Sequence, residues 1–239
     1  MNIYVKTLSI VGTGLILSAS TLLAKERSPL EIIDKALLHT EKMDKYAFEA
    51  KITEYDVQED GSVIPYDYDT IVKVDRPNKL FVKSKSKYLH RSHIINDGLY
   101  SMIDYENKNY GQFTVPKNID KALETILKNF DVKSPLASLI YSNMDQRIKF
   151  NTSQYLGTEK VEGVVCDHLS FKGKDKEAEV WVTKEEVPHI KAYTTIDKST
   201  IPPKKVHTRV KWIEKANISD KDFLFTTPKE MHNISLLHK

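Results

Sequence analysis

Apolar residues recur along the chain at two periods, and the switches between them divide it into elements. Ser28-Pro29-Leu30-Glu31 reads as a helix start, with Ser at the N-cap, Pro at the first helical position and Glu three residues past the cap. Ile33, Ala36, Leu37 and Thr40 then form one stripe among Asp34, Lys35, Glu41 and Lys42, and the helix is expected to end near Lys45. From Tyr46 the period becomes two: Phe48, Ala50 and Ile52 alternate with Glu49, Lys51 and Thr53, the pattern of a strand with one wet face. Asp60-Gly61 is a hairpin turn signal, and a strand from Tyr68 to Asp75 stops at Arg76-Pro77-Asn78. Further strands are expected at Lys79 to Lys85, His93 to Ile95, Leu99 to Tyr105 and Tyr110 to Val115, with turns at Asp97-Gly98 and Glu106-Asn107-Lys108.

Between Pro116 and Ser142 the period returns to that of a helix. Asn118 is a cap, and Ile119, Ala122, Leu123, Ile126, Leu127 and Phe130 make an apolar stripe; Ser134-Pro135 starts a second short helix bearing Leu136, Leu139 and Ile140. Strands resume at Gln146 to Leu156, Val164 to Lys172, Ala178 to Thr183, Ile190 to Asp197 and Lys205 to Glu214. In the last of these, Val206, Thr208, Val210 and Trp212 share a face. The expected fold class is mainly β within α+β: a curled antiparallel half-barrel of about ten strands, since a sheet that wide must curl. The segments 28–45 and 118–141 are the elements available to plug or lid its concave face.

The N-terminal residues read differently. Thr7 to Ala24 carry no charge, follow a short segment with Lys6, and end at Lys25-Glu26-Arg27, which is the pattern of a secretory signal peptide over 1–24. A retained membrane anchor is the competing reading. Residues 25–239 then form one exported domain, expected in the periplasm of a Gram-negative bacterium. Among 239 residues, 36 basic side chains face 33 acidic ones, for a net charge of +3, too near balance for a protein built to neutralise nucleic acid. The single cysteine, Cys166, excludes an internal disulfide and a multi-cysteine metal cluster.

Candidate chemistry is sparse. Cys166 and His168 share a strand face, as a thiol and its base would, but no helix N-terminus or glycine-rich turn accompanies them to lower the thiol pKa. His90 and His93 fall on opposite faces of an extended segment. Asp67 and Asp69 share one face and Tyr66 and Tyr68 the other, a spacing that suits solvated carboxylates. Lys83, Lys85 and Lys87, with Arg91 beyond, could meet phosphate head groups or guard an exposed strand against aggregation. No Walker loop, dinucleotide fingerprint, HExxH or GxSxG motif occurs. A binding protein without catalysis, metal or cofactor is favoured over an enzyme.

Arg76-Pro77-Asn78 at a strand end, the Asn96-Asp97-Gly98 turn and the closing Asp222-Phe223-Leu224-Phe225-Thr226-Thr227-Pro228 resemble the LolA/LolB family of periplasmic lipoprotein carriers. Gly163-Val164-Val165-Cys166-Asp167-His168-Leu169 and Leu136-Ala137-Ser138-Leu139-Ile140-Tyr141-Ser142 are similar to a family of predicted periplasmic proteins with the same fold and no assigned function. The resemblance implies an incomplete barrel lidded by helices, with an apolar cavity that accepts acyl chains and Arg76 as the latch of the lid. The cavity and lid are then expected to draw on Phe48, Ile52, Leu123, Ile126, Leu127, Phe130, Leu136, Leu139, Ile140, Val210 and Trp212. The sequence departs from the carriers in having Lys and Ser rather than aromatic residues at Lys83 to Lys87. The expected partners are an apolar ligand, lipid or lipoprotein acyl chain, and an envelope protein; the expected state is a monomer. The rival readings are an envelope interaction protein whose helices simply fill the sheet, and a hydrolase using Cys166 and His168.

Overall fold

The computed structural model describes residues 28–130, 134–147, 149–227 and 229–234; the signal segment expected at 1–24 lies outside them. One sheet draws its strands from three of these parts, all but 134–147. Its strands are β1 (Lys45–Val57), β2 (Val63–Asp75), β3 (Lys79–Lys85), β4 (His90–Asn96), β5 (Leu99–Asp104) and β6 (Asn109–Thr114), followed after a helical interval by β7 (Thr152–Val161), β8 (Val164–Lys172), β9 (Lys176–Thr183), β10 (Ile190–Asp197), β11 (Lys204–Trp212) and β12 (His232–Asn233). Their order is β12-β6-β5-β4-β3-β2-β1-β11-β10-β9-β8-β7. Every pairing is antiparallel except the short β12–β6 contact, and the sheet does not close, as expected of a half-barrel. The first meander and the second are joined where β1 pairs with β11, with Phe48 opposite Trp212, Ala50 opposite Val210 and Ile52 opposite Thr208. On the other side of β1, Phe48 faces Val72 and Ala50 faces Thr70, so the alternation read from the sequence becomes one continuous concave apolar face.

Two helices and a short helical segment cover that face. Helix α1 (Pro29–Glu41) buries Ile32, Ile33, Ala36, Leu37 and Thr40 and lies across β7, β8, β9 and β10. It ends at Glu41, because Lys45 already belongs to β1, and Ser28 holds the cap position without a side-chain hydrogen bond, so no capping box forms. Helix α2 (Ile119–Phe130) begins as expected: Asn118 accepts from the amides of Asp120 at 3.0 Å and Lys121 at 3.2 Å. The second short helix is only a 3₁₀ turn, Ala137–Leu139, followed by the single turn α3 (Met144–Arg147). Residues 146, 147 and 149–151 are therefore not strand. Arg147 turns instead towards α2, bonding Asn143 and Glu124, and β7 starts at Thr152.

The closing segment wraps the convex face. Asp222 pairs with Lys73 on β2, Asp220 pairs with Lys79 on β3 at 2.6 Å, and Phe223 is fully buried. Asp97 (φ 47°) and Gly98 (φ 91°) make the β4–β5 turn; a Cβ at Gly98 would sit 3.2 Å from the Val115 carbonyl, so both conformation and space require glycine.

Candidate functional site

Between α2 and the first meander lies a cavity of about 750 Å³, within the range of small-molecule sites. The inward positions of four strands, β1, β3, β4 and β5, floor it with Ile52, Leu80, Val82, Ile95 and Met102. Leu123 and Ile126 from α2, with Leu136 and Ile140 from the segment after it, form the roof. Polar groups on the wall are mutually satisfied: His93 Nδ1 lies 2.7 Å from Tyr100 Oη, Tyr68 donates to Glu54 at 2.8 Å, Thr70 and Ser84 hydroxyls are 2.9 Å apart, and Arg91 pairs with Asp104 at 2.8 Å. Burial pushes the His93 imidazole down to about 4, with Arg91 adding to the shift, so the ring is neutral near pH 7. Burial also raises the Tyr68 and Tyr100 phenols well above their usual value. The cavity opens past the tips of the β1–β2 and β3–β4 hairpins, where Tyr66, Lys87 and Tyr88 stand at the mouth.

The roof segment is held through its own backbone. Tyr193 donates to Pro135 O at 2.7 Å, Tyr46 to Leu139 O at 2.9 Å, and Arg76 to both Ile140 O at 2.7 Å and Tyr46 Oη at 3.0 Å. Asp120 on α2 accepts from the Ser142 amide at 3.1 Å and from its hydroxyl, and lies 4.0 Å from Arg76. Burial raises the Tyr193 hydroxyl to about 12 and Tyr46 further, so both remain protonated donors. The segment makes no long helix of its own, and these side chains supply the order that intrahelical bonds would otherwise provide.

Of the residues expected to shape the site, Ile52, Leu123, Ile126, Leu136 and Ile140 meet around the cavity, and Arg76 is bonded to its roof. Leu127 does not belong there: it is 41% exposed, on the outer side of α2. Phe130 packs on Phe113 with ring centres 4.3 Å apart, at the end of α2 and away from the cavity lining. Phe48, Leu139 and Val210 are buried in solid core, and Trp212 packs against Phe48 with the rings tilted by 52° and their centres 5.2 Å apart. Sequence reasoning missed Leu80, Val82, Ile95 and Met102, although their alternation with outward residues was the available signal. Tyr46, Asp120 and Tyr193 were also missed, since bonds to distant backbone leave no local pattern.

The rival constellations resolve differently. Cys166 is buried, its thiol pKa is raised by that burial, and its Sγ donates to Val164 O at 3.6 Å. His168 stacks on Trp181 at 4.3 Å, with its ring nitrogens 3.4 Å from Glu159 and Glu179, so the two do not form a thiol–imidazole pair. His93 points into the cavity while His90 stacks on Tyr105 outside it. The expected row of cations is split: Lys83 and Lys85 face outward, Lys87 lies at the mouth, and Arg91 faces inward. Among the described residues no group of three or more metal-ligating side chains occurs, and no helix is long and apolar enough to cross a membrane.

A lidded half-barrel with an apolar pocket is the class that this geometry defines. The chain belongs to the family described as predicted periplasmic protein (DUF2092), whose model matches residues 30–237. No curated protein matches the sequence. Among solved structures, an uncharacterized conserved protein from Thermus thermophilus is similar over 87% of this chain and 99% of its own, at 10% identity and a TM-score of 0.50. LprF from Mycobacterium bovis is similar over 80% of this chain and 96% of its own (9% identity, TM-score 0.49), and a LolA superfamily protein from Nitrosomonas europaea over 84% and 99% (11% identity, TM-score 0.36). At these identities the likeness concerns the fold.

Proposed function

We propose that this periplasmic protein binds an apolar chain, the tail of a lipid or the acyl group of a lipoprotein, in the cavity beneath α2, and holds it without chemical change. The observation that carries this reading is the cavity itself: about 750 Å³ of space with an aliphatic floor and roof, open at one end. An acyl chain of roughly fourteen carbons gains on the order of 10 kcal/mol on leaving water, at about 0.8 kcal/mol per methylene. Release then requires competition, and a roof that can settle onto the same apolar floor supplies it, since closing lowers the net affinity without abolishing the site. The segment 134–142 suits that part, being tied by a handful of discrete hydrogen bonds instead of by a long helix.

The test is native mass spectrometry of protein purified from the periplasm, followed by solvent extraction, together with titration of a fluorescent fatty-acyl probe. Co-purifying lipid, or saturable probe binding displaced by free fatty acid, is the expected result. Protein that is consistently empty and takes up no probe overturns the reading.

A further inference from the structure

The face of the sheet turned away from the helices carries a second concavity, about 550 Å³, across β11, β1, β2 and β3. The outward alternation places Arg209, Lys51, Asp69 and Lys85 in one cross-strand row and Lys211, Glu49, Ile71 and Lys83 in the next. Arg209 and Lys51 are directly opposed. Opposed side chains start about 4.5–5.5 Å apart at Cβ, where like charges repel and a sheet ordinarily places opposite ones. The lysines do not protect an edge, because all four strands lie in the interior of the sheet.

The carboxylates of the groove relieve this only in part. Glu49 is engaged by Lys211 at 3.3 Å and Glu162 by Lys191 at 2.7 Å, which leaves Asp69 to face Lys51, Lys83, Lys85 and Arg209. Lys83 is drawn over the Tyr105 ring, 5.5 Å from its centre. Among the described residues no carboxylate lies within ion-pair distance of Arg209, Lys51 or Lys85, and Arg209 Nε is buried without a hydrogen-bond partner. Neighbours register the same positive field. His90 is lowered by burial and then by Lys83 and Lys85, His207 by burial and then by Arg209, and Glu162 is held below the usual carboxylate range by Lys191, with Arg209 and Lys51 adding to it. A local rule broken with incomplete compensation inside the chain is what a site completed by a ligand looks like.

We propose that this outer groove is an oxyanion site for a phosphate group, free or carried on a lipid headgroup. Arg209 presents its guanidinium to the phosphate oxygens, Lys51 stands beside it as a point charge, and Lys83 and Lys85 close the far side. The site is independent of what fills the cavity, since it lies on the opposite face of the sheet.

The full mature chain is titrated with inorganic phosphate at constant ionic strength, with chloride as the control, reading thermal unfolding and ³¹P line width. Saturable stabilisation by phosphate is expected, weakened at least tenfold in Arg209→Gln and in Lys51→Gln. Without phosphate, Lys51→Gln is expected to unfold at or above the wild-type temperature because the repulsion is gone. Circular dichroism checks each variant's fold, and Lys85→Gln gives a second variant on the far wall. Sedimentation with phosphatidylglycerol against phosphatidylcholine vesicles separates the sources: association lost in Arg209→Gln identifies a headgroup, while saturable free-phosphate binding without vesicle association identifies the free ion. Phosphate binding that does not saturate, or binding and vesicle association equal in wild type and variants, overturns the proposal.

Discussion

Arg76 joins parts of the chain that are far apart in sequence. One guanidinium donates to the Ile140 carbonyl and to the Tyr46 hydroxyl, which itself donates to the Leu139 carbonyl. Replacing it with Leu leaves a buried carbonyl without its donor, a change that typically costs about 1–3 kcal/mol. Urea unfolding of Arg76→Leu is expected to show that loss, and hydrogen exchange at 136–142 is expected to quicken. His93 sets a pH dependence. The native ring, at about 4, holds its proton less tightly than the unfolded ring at about 6.5, so the unfolded state is protonated first as pH falls. Stability is therefore full above about 6.5 and is lost as pH falls towards about 4, by at most about 3 kcal/mol because the ring borders a cavity that admits water. The urea midpoint of wild type is expected to drop more between pH 7 and pH 4.5 than that of His93→Asn. Arg76 was legible in sequence only through its Arg-Pro-Asn context. Tyr46 read as the first residue of a strand, because nothing in a sequence marks which carbonyl a hydroxyl will reach.

At the scale of elements, α2 shows what periodicity can and cannot tell. Its stripe was legible, and so was its Asn118 cap. The width of the buried arc was not, since it depends on how the helix settles on its neighbours. Here Leu123 and Ile126 turn to the cavity, Ile119 and Ala122 are buried, and Leu127, a step of about 100° beyond Ile126, is left in solvent. Ile126→Trp is expected to fill the cavity and lower acyl-probe affinity at least tenfold, while Leu127→Ala changes stability by less than about 0.5 kcal/mol and leaves the probe bound. Probe titration and thermal unfolding of the pair check both. The strand read at Gln146 failed for a related reason: short alternating runs fit either period, and the bonds of Arg147 to Asn143 and Glu124 decided for a helical turn.

Over the whole molecule, the sheet has a filled half and a hollow half. Helix α1 presses Ile32, Ile33, Ala36 and Leu37 onto β7 to β10, where Leu169, Phe171, Val182 and Ile190 complete a solid core. The other half keeps its cavity beneath α2. Both helices were legible as covers for one curled sheet, but a sequence carries no mark of which cover fits tightly. An acyl ligand is expected to slow amide exchange in β3 to β5 and α2 while leaving β8 to β10 unchanged; protection spread evenly over both halves would contradict a ligand seated under α2. The open sheet also has two free rims, and each is finished differently. One ends on β7, bulged between Tyr155 and Gly157 and charged at Glu159 and Lys160. The other is closed by two residues of β12, delivered by a tail that Lys73 and Lys79 fasten through Asp222 and Asp220. The consequence is colloidal: a bulge and charged side chains interrupt the row of amides and carbonyls along one border, and two residues of β12 cover part of the other, devices that oppose the stacking of one half-barrel on the next.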